Sequence, residues 1–249
     1  MIALAFFILG LVIGSFLNVC IYRIPRGKSI VYPPSSCPSC GLRIKWYDNI
    51  PVLSYIVLKG RCRYCKSRIS PVYPLVELLT AVYSLLVYLK FGITLNTAFY
   101  LIFGYILIVA SFIDFFHYII PDSLTLSLAF VGIVYGLFNH ELIHSIIGLI
   151  FGFVLLYIVA VLGKAIFKKE AMGGGDIKLL AALGTFVGVK GVLFTLFVAS
   201  FFGSFVGIVL IASGNAKMSQ RLPFGPYLSL SAIIYIFVGA ELITKFYGF

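Results

Sequence analysis

Long apolar runs set the terms on which this chain can fold. Near residues 2–22, 73–90, 96–113, 120–138, 142–163, 177–189, 191–212 and 225–245 the sequence is almost continuously hydrophobic. A helix crosses the hydrocarbon core of a bilayer with about 20 apolar residues. In that medium each backbone N–H and C=O must be satisfied inside its own segment, which selects helices. The runs therefore predict an all-α polytopic membrane protein of about eight transmembrane helices. The sixth run is short and carries glycine. Composition agrees, with 61% hydrophobic and 11% charged residues and a mean hydropathy of +1.10. Soluble domains carry about 25% charged residues, and a soluble chain of this make-up could not cover its surface. No basic segment precedes Met1–Cys20 and no small-residue cleavage site follows it, so it reads as a retained span rather than a signal peptide.

The net charge of +11 invites a nucleic-acid reading, but its distribution argues for a bilayer. Cytoplasmic loops of membrane proteins are enriched in Lys and Arg. The one long hydrophilic stretch, Arg23 to Pro71, holds ten of them. Threading eight spans from a cytoplasmic 23–71 loop puts sixteen of the nineteen basic residues inside, including those of 164–178 and 213–224. Both termini then lie outside. The expected partners are the lipid bilayer and no nucleic acid.

Four of the five cysteines form two pairs in that loop, Cys37-Pro-Ser-Cys40 and Cys62-Arg-Tyr-Cys65, with 21 residues between the pairs. Two C-x2-C knuckles can set four thiolates tetrahedrally around zinc. A cytosolic loop keeps thiols reduced, which favours metal over disulfides. A stretch of about 50 residues also has too small a core to fold easily unaided. The reading is a small zinc-ribbon-like insertion with a structural Zn2+ on Cys37, Cys40, Cys62 and Cys65; redox-active or unliganded thiols are the alternative. Four cysteines close the coordination shell, which argues against a catalytic ion. Cys20, within the first span, reads as packing.

Only eight acidic residues exist. Glu141 and Glu241 fall at outer span ends, Glu170 in a basic loop and Asp48 in the hydrophilic stretch, where solvent accounts for them. Asp114, Asp122 and Asp176 stand at span ends on one membrane face, where ionisable groups are costly and usually functional. Asp122 follows Pro121, so a helix-start role suffices for it. Asp176 follows Gly173-Gly174-Gly175, whose bare backbone would let a substrate strand approach. Asp114 ends its helix, a place that opposes the helix dipole and where capping explains nothing. Two close carboxylates sharing one proton can run acid–base peptide hydrolysis. His117 is near enough in sequence to tune Asp114. His140 and His144 are a four-apart pair with a structural reading or a weak metal one. No G-x-S-x-G or H-E-x-x-H motif competes. A cation transporter would want acids at mid-depth and inverted repeats, and neither is visible. A zinc-bearing scaffold would leave the Gly-Gly-Gly-Asp box unexplained.

At these residues the chain resembles the type IV prepilin peptidase family of membrane aspartic proteases, along nearly its whole length. "GSFLNVCIYRIPRG" (14–27) is similar to the family's opening signature, and 33–81 to its cysteine-bearing domain, including Asn49, Pro51 and Glu77. "DFFHYIIPDSLT" (114–125) resembles its first aspartate motif, and "GGGDIKLLAALG" (173–184) its G-x-G-D box. The resemblance implies a bifunctional enzyme of the bacterial inner membrane, with its active site at the cytoplasmic face. It would cleave the basic leader of prepilins and pseudopilins after a glycine, with Asp114 and Asp176 catalytic. It would then N-methylate the new N-terminal residue with S-adenosylmethionine. The 23–71 loop would serve the methylation, with Glu77 as a candidate cofactor-binding residue. The domains expected are a first helix (1–22), a zinc-binding domain built on the four cysteines (23–72) and the peptidase domain (73–249).

Overall fold

The computed structural model describes residues 1–168, 172–214 and 222–239. Lys169, Glu170, Lys217, Arg221, Glu241 and Lys245 lie outside them. The described residues are helical and contain no strand, only two isolated antiparallel bridges, Ser36 with Arg43 and Arg61 with Arg68. The chain divides into two compact units, Met1–Val109 and Ala110–Phe249.

The first unit contains α1 (Ile2–Arg23), the short α2 (Leu53–Val57), α3 (Val72–Phe91) and most of α4 (Leu95–His117). Helices in lipid gain little from hydrophobicity and associate through close van der Waals packing at small residues and through hydrogen bonds. Gly10 and Gly14 of α1 form such a seam. A Cβ at Gly10 would come within 2.5 Å of Ala81 Cα, and one at Gly14 within 2.7 Å of Glu77 Cα. One turn on, Asn18 Nδ2 donates to the Tyr73 carbonyl at 3.0 Å. The pairs 10/81, 14/77 and 18/73 fix α1 and α3 as antiparallel neighbours. Between α3 and α4, Tyr83 lies over Gly104 and donates its hydroxyl to the Tyr100 carbonyl. Ser84 and Tyr105 hydrogen-bond at 2.9 Å.

The second unit takes the end of α4, then α5 (Asp122–Phe138), α6 (Leu142–Phe167), α7 (Gly174–Ala212) and α8 (Gly225–Ile234), which continues as a π-helical turn over Tyr235–Gly239. Glycines again set the spacing. A Cβ at Gly148 would clash with the Gly184 carbonyl at 2.1 Å, and one at Gly132 with Thr185 Oγ1 at 1.8 Å. Thus α7 is the rod on which α5 and α6 pack. Its core residues Leu179, Leu180 and Leu183 are buried, while Ile143, Phe153 and Tyr157 of α6 are exposed, as lipid-facing positions require.

Among the described residues, five helices (α1, α3, α4, α6 and α7) are long and apolar enough to cross a membrane; α5 and 225–239 are apolar but shorter. The runs 177–189 and 191–212 lie in α7, which is two helices meeting at a kink: Gly188 between them is non-helical, with φ of 62° and ψ of −172° that suit glycine. His144 fills the space beside that break, where a Cβ would meet its Nε2 at 1.8 Å. Helix length among the described residues thus leaves the count of eight unconfirmed, and the run 225–245 extends beyond them.

Candidate active site and metal centre

Asp114 occupies the last turn of α4. The helix stops because Tyr118 turns to φ 56° and returns its N–H to the Asp114 carbonyl at 2.8 Å. The Asp114 side chain is buried, at 6% exposure. The unfavourable position at a helix C-terminus is offset from elsewhere. The first residue of α8, Gly225, donates its backbone N–H to Asp114 Oδ2 at 2.9 Å. The carboxylate thus meets the electropositive end of a second helix.

Asp176 lies in the first turn of α7, and it and Asp114 are near enough for one to feel the other's charge. Its Oδ1 is buried with no hydrogen-bond partner. Buried polar atoms are nearly always paired, so this oxygen stands out. Ile120 spaces the elements: a Cβ at Gly175 would come within 3.0 Å of Ile120 Cβ, and one at Gly225 within 3.0 Å of Ile120 Cδ1. Gly173 and Gly174 are exposed, and nothing lies within 4 Å of where a Gly174 Cβ would stand.

Asp122 does not join this pair. It opens α5, and Lys178 Nζ binds both its oxygens at 2.7 and 2.8 Å on the surface. His117 is exposed and makes no hydrogen bond to Asp114.

In the first unit, the four thiols of Cys37, Cys40, Cys62 and Cys65 lie within 4.8 Å of one another. The two C-x2-C segments fold alike. Cys37 N–H bonds to the Leu42 carbonyl at 2.9 Å and Gly41 N–H returns to Cys37 at 2.8 Å. Cys62 N–H bonds to Ser67 at 2.9 Å and Lys66 N–H returns to Cys62 at 3.1 Å. Gly41 (φ 71°) and Lys66 (φ 58°) make the same left-handed turn. Tetrahedral zinc with bonds of about 2.3 Å sets its sulfurs about 3.8 Å apart, and Cys37 and Cys65 Sγ are 3.8 Å apart. The Cys40 backbone N–H brings the Cys37 thiol down to about 6, and the Ser67 hydroxyl lowers Cys65. Cys40, which the Leu42 N–H pulls the other way, is pushed up to about 11 by desolvation and its thiol neighbours. One thiolate of a crowded set forms first. The residues present fit a metal ion.

Glu77, on α3, is buried at 7% exposure; its Oε2 accepts the Val52 N–H at 2.8 Å, and Ser15 is in hydrogen-bonding reach. Asp48 departs from a free surface residue. Its side chain is 7% exposed beneath Arg63, whose Nε reaches both oxygens at 2.8 and 3.1 Å. The guanidinium holds the Asp48 carboxyl below the usual carboxylate range.

Residues 8–91 match the Bacterial Peptidase A24 N-terminal domain, and residues 101–208 match the Type IV leader peptidase family. A Prepilin leader peptidase/N-methyltransferase of Pseudomonas aeruginosa is 36% identical over 96% of this chain and 91% of its own length. The chain belongs to the type IV leader peptidase family. A relative of the same name from Aeromonas hydrophila is 36% identical over 97% of this chain and 92% of its own. One from Myxococcus xanthus is 41% identical over 86% of this chain and 65% of its own. No solved structure matches.

Two features of the aspartate site escape sequence reasoning. Gly225 reaches Asp114 across 111 positions, and only the sequence Pro223-Phe224-Gly225-Pro226, a stop-and-start signal for a helix, hints at it. Lys178 reads as a neighbour of Asp176, yet its ammonium serves Asp122, because helical positions two apart do not share a face.

Proposed function

We propose that this chain is a bifunctional leader peptidase and N-methyltransferase that acts on type IV prepilins and pseudopilins. The observation that carries the peptidase half is the convergence of Asp114 and Asp176 with a buried, unpartnered Asp176 oxygen. Two such carboxyls, sharing one proton, hold a water between them. One takes a proton as the water oxygen attacks the scissile carbonyl carbon, and the other protonates the carbonyl oxygen. The intermediate then collapses, the C–N bond breaks, and the leaving amine takes a proton back from the pair. The exposed Gly173-Gly174 backbone supports an extended substrate lying alongside, since nothing but hydrogen stands between main chain and main chain there.

The substrate's basic leader stays in the cytoplasm, so the reading sets the aspartates at the cytoplasmic face of the inner membrane, as the distribution of Lys and Arg supports. The cut follows a glycine. Zn2+ on Cys37, Cys40, Cys62 and Cys65 has a structural role, stapling the 23–72 segment. S-adenosylmethionine supplies the methyl group for the new N-terminus, and Glu77 is the candidate residue for its site.

The test is a gel-shift cleavage assay in detergent, with a synthetic prepilin carrying a basic leader, a Gly-Phe junction and an apolar helix. Wild type cleaves at Gly-Phe, and Asp114→Asn and Asp176→Asn do not, although both insert and purify normally. A fully active Asp176→Asn protein would sink the assignment.

A further inference from the structure

The short helix α2 is turned the wrong way round for a surface that meets water. Leu53, Ile56 and Val57 fall at i, i+3 and i+4, on one face of the helix. They are 61%, 63% and 73% exposed. Ser54, Tyr55 and Leu58 are half-buried instead. A surface helix in water keeps its apolar stripe inward and its polar face out. The turn Trp46–Asn49 is tied to α2 by Ser54 Oγ, which donates to the Tyr47 carbonyl at 3.0 Å. That turn begins with Trp46, which is 80% exposed.

A hydrogen bond fixes the level of this face. Val52, the residue before α2, donates its N–H to Glu77 Oε2 at 2.8 Å. Glu77 stands five residues past the start of α3, about 7 Å along a helix. On α1 the matching position is Gly14, nine residues before the end at Arg23 and about 13 Å in. Near this level the spans already show apolar side chains outward, Phe16 on α1 and Leu75, Leu78 and Leu79 on α3. The start of α2 thus lies alongside the membrane helices, not beyond their ends.

The rim of the face is basic. Lys45 precedes Trp46, Lys59 and Arg61 follow α2, and all three are exposed. The only carboxylate in residues 23–71, Asp48, is covered by Arg63. We propose that α2 and Trp46 form an interfacial anchor, which lies in the headgroup layer of an anionic bilayer and holds the cysteine-bearing segment against it. Interfacial elements bury their apolar face about 5–10 Å into the boundary, with basic residues towards anionic lipid and tryptophan at headgroup level. This contact is additional to those of the spans, and it stands whatever reaction the aspartates run. A basic rim would repel the basic leader of a prepilin, so the bilayer fits this face better than that substrate does.

Trp46 is the only tryptophan of the chain, so its fluorescence reports on the face without a label. Full-length, zinc-loaded protein is placed at one copy per lipid nanodisc without pilin, in phosphatidylcholine alone or with about one third phosphatidylglycerol. The lipid chains carry bromine either near the headgroup or near the chain end. In anionic discs Trp46 emission is blue-shifted, resists aqueous acrylamide and falls by about half or more with the shallow bromines. The deep bromines quench it less. Red-shifted emission that acrylamide quenches and bromine does not overturns the anchor. Protection of Trp46 that then appears only when prepilin is added assigns the face to a protein partner instead. Equal quenching in the two lipids overturns the anionic preference. The double substitution Ile56→Asp and Val57→Asp should cut shallow-bromine quenching at least about twofold, with bound zinc at the wild-type level. Unchanged quenching overturns α2 as the anchor. If that variant loses zinc, Lys45→Glu with Lys59→Glu takes its place. It should erase the difference between the two lipids, and a difference that persists overturns the basic rim.

Discussion

Replacing Gly225 by alanine tests whether Asp114 is positioned by α8. A Cβ at that residue would stand 2.8 Å from Asp114 Oδ2, 3.3 Å from Asp114 Cγ and 3.0 Å from Ile120 Cδ1. Ordinary contact begins near 3.4 Å, so the carboxylate must retreat by about 0.6 Å, the difference between 3.4 and 2.8. That retreat also stretches the 2.9 Å bond from the Gly225 N–H, a bond to a charged acceptor worth about 1.5–3 kcal/mol. A 1 Å misplacement of a catalytic group can cost about a hundredfold. Gly225→Ala should therefore lower kcat/KM for prepilin cleavage by roughly tenfold or more, about 1.4 kcal/mol, with the loss falling in kcat. Gly174→Ala is the control, because its new methyl meets nothing within 4 Å and its φ is not left-handed. It should keep kcat, and if a substrate strand lies on that backbone, only KM should rise. Initial rates on the synthetic prepilin, with circular dichroism to confirm intact helices, give the answer. A Gly225→Ala enzyme with wild-type kcat would refute the positioning role of α8.

Asp122→Asn should retain most of the cleavage rate and change stability by no more than about 1 kcal/mol, because its Lys178 partner is a solvent-exposed ion pair; a loss as deep as that of Asp176→Asn would reopen its catalytic candidacy. Cys62→Ser should drop bound zinc below about half an equivalent, by metal analysis of purified protein, and loosen the 23–72 segment to proteolysis. The same variant should still cleave prepilin in detergent, since the aspartates belong to the second compact unit. Wild-type protein that purifies without zinc would count against the metal centre.

What the sequence disclosed and what it hid follow from the range of the interactions involved. The apolar runs became helices because lipid leaves the backbone no other partner. The cysteine knuckles were legible because their hydrogen bonds span only four or five residues. Asp114 was suspect because it stood at a helix end with no local compensation, and that judgement depended only on local geometry. The compensation itself was hidden, since it comes from Gly225, far along the chain. The break between the sixth and seventh runs was legible, since Gly188 is non-helical where they part, but the His144 packed beside it is on another helix and was not. Asp48 looked like a surface residue because its screen, Arg63, stands on the second knuckle and reaches it only once both knuckles fold.

The two aspartates each sit at a helix end. Asp176 sits in the first turn of α7, where the helix dipole favours a negative charge. Asp114 sits in the last turn of α4, where it does not, and borrows the start of α8 instead. Both carboxyls thus face the positive end of a helix, reached by different routes. Among the described residues no Lys or Arg is ion-paired with either carboxyl, and the Lys178 ammonium is held by Asp122. A cation in the pair would hold both acids as spectators in a salt bridge. On the proposed reading, a pair with no ammonium on it leaves a shared proton free to move, as acid–base hydrolysis requires. Asp122 stays outside that pair with Lys178 on its oxygens, and asparagine there can still accept from Lys178.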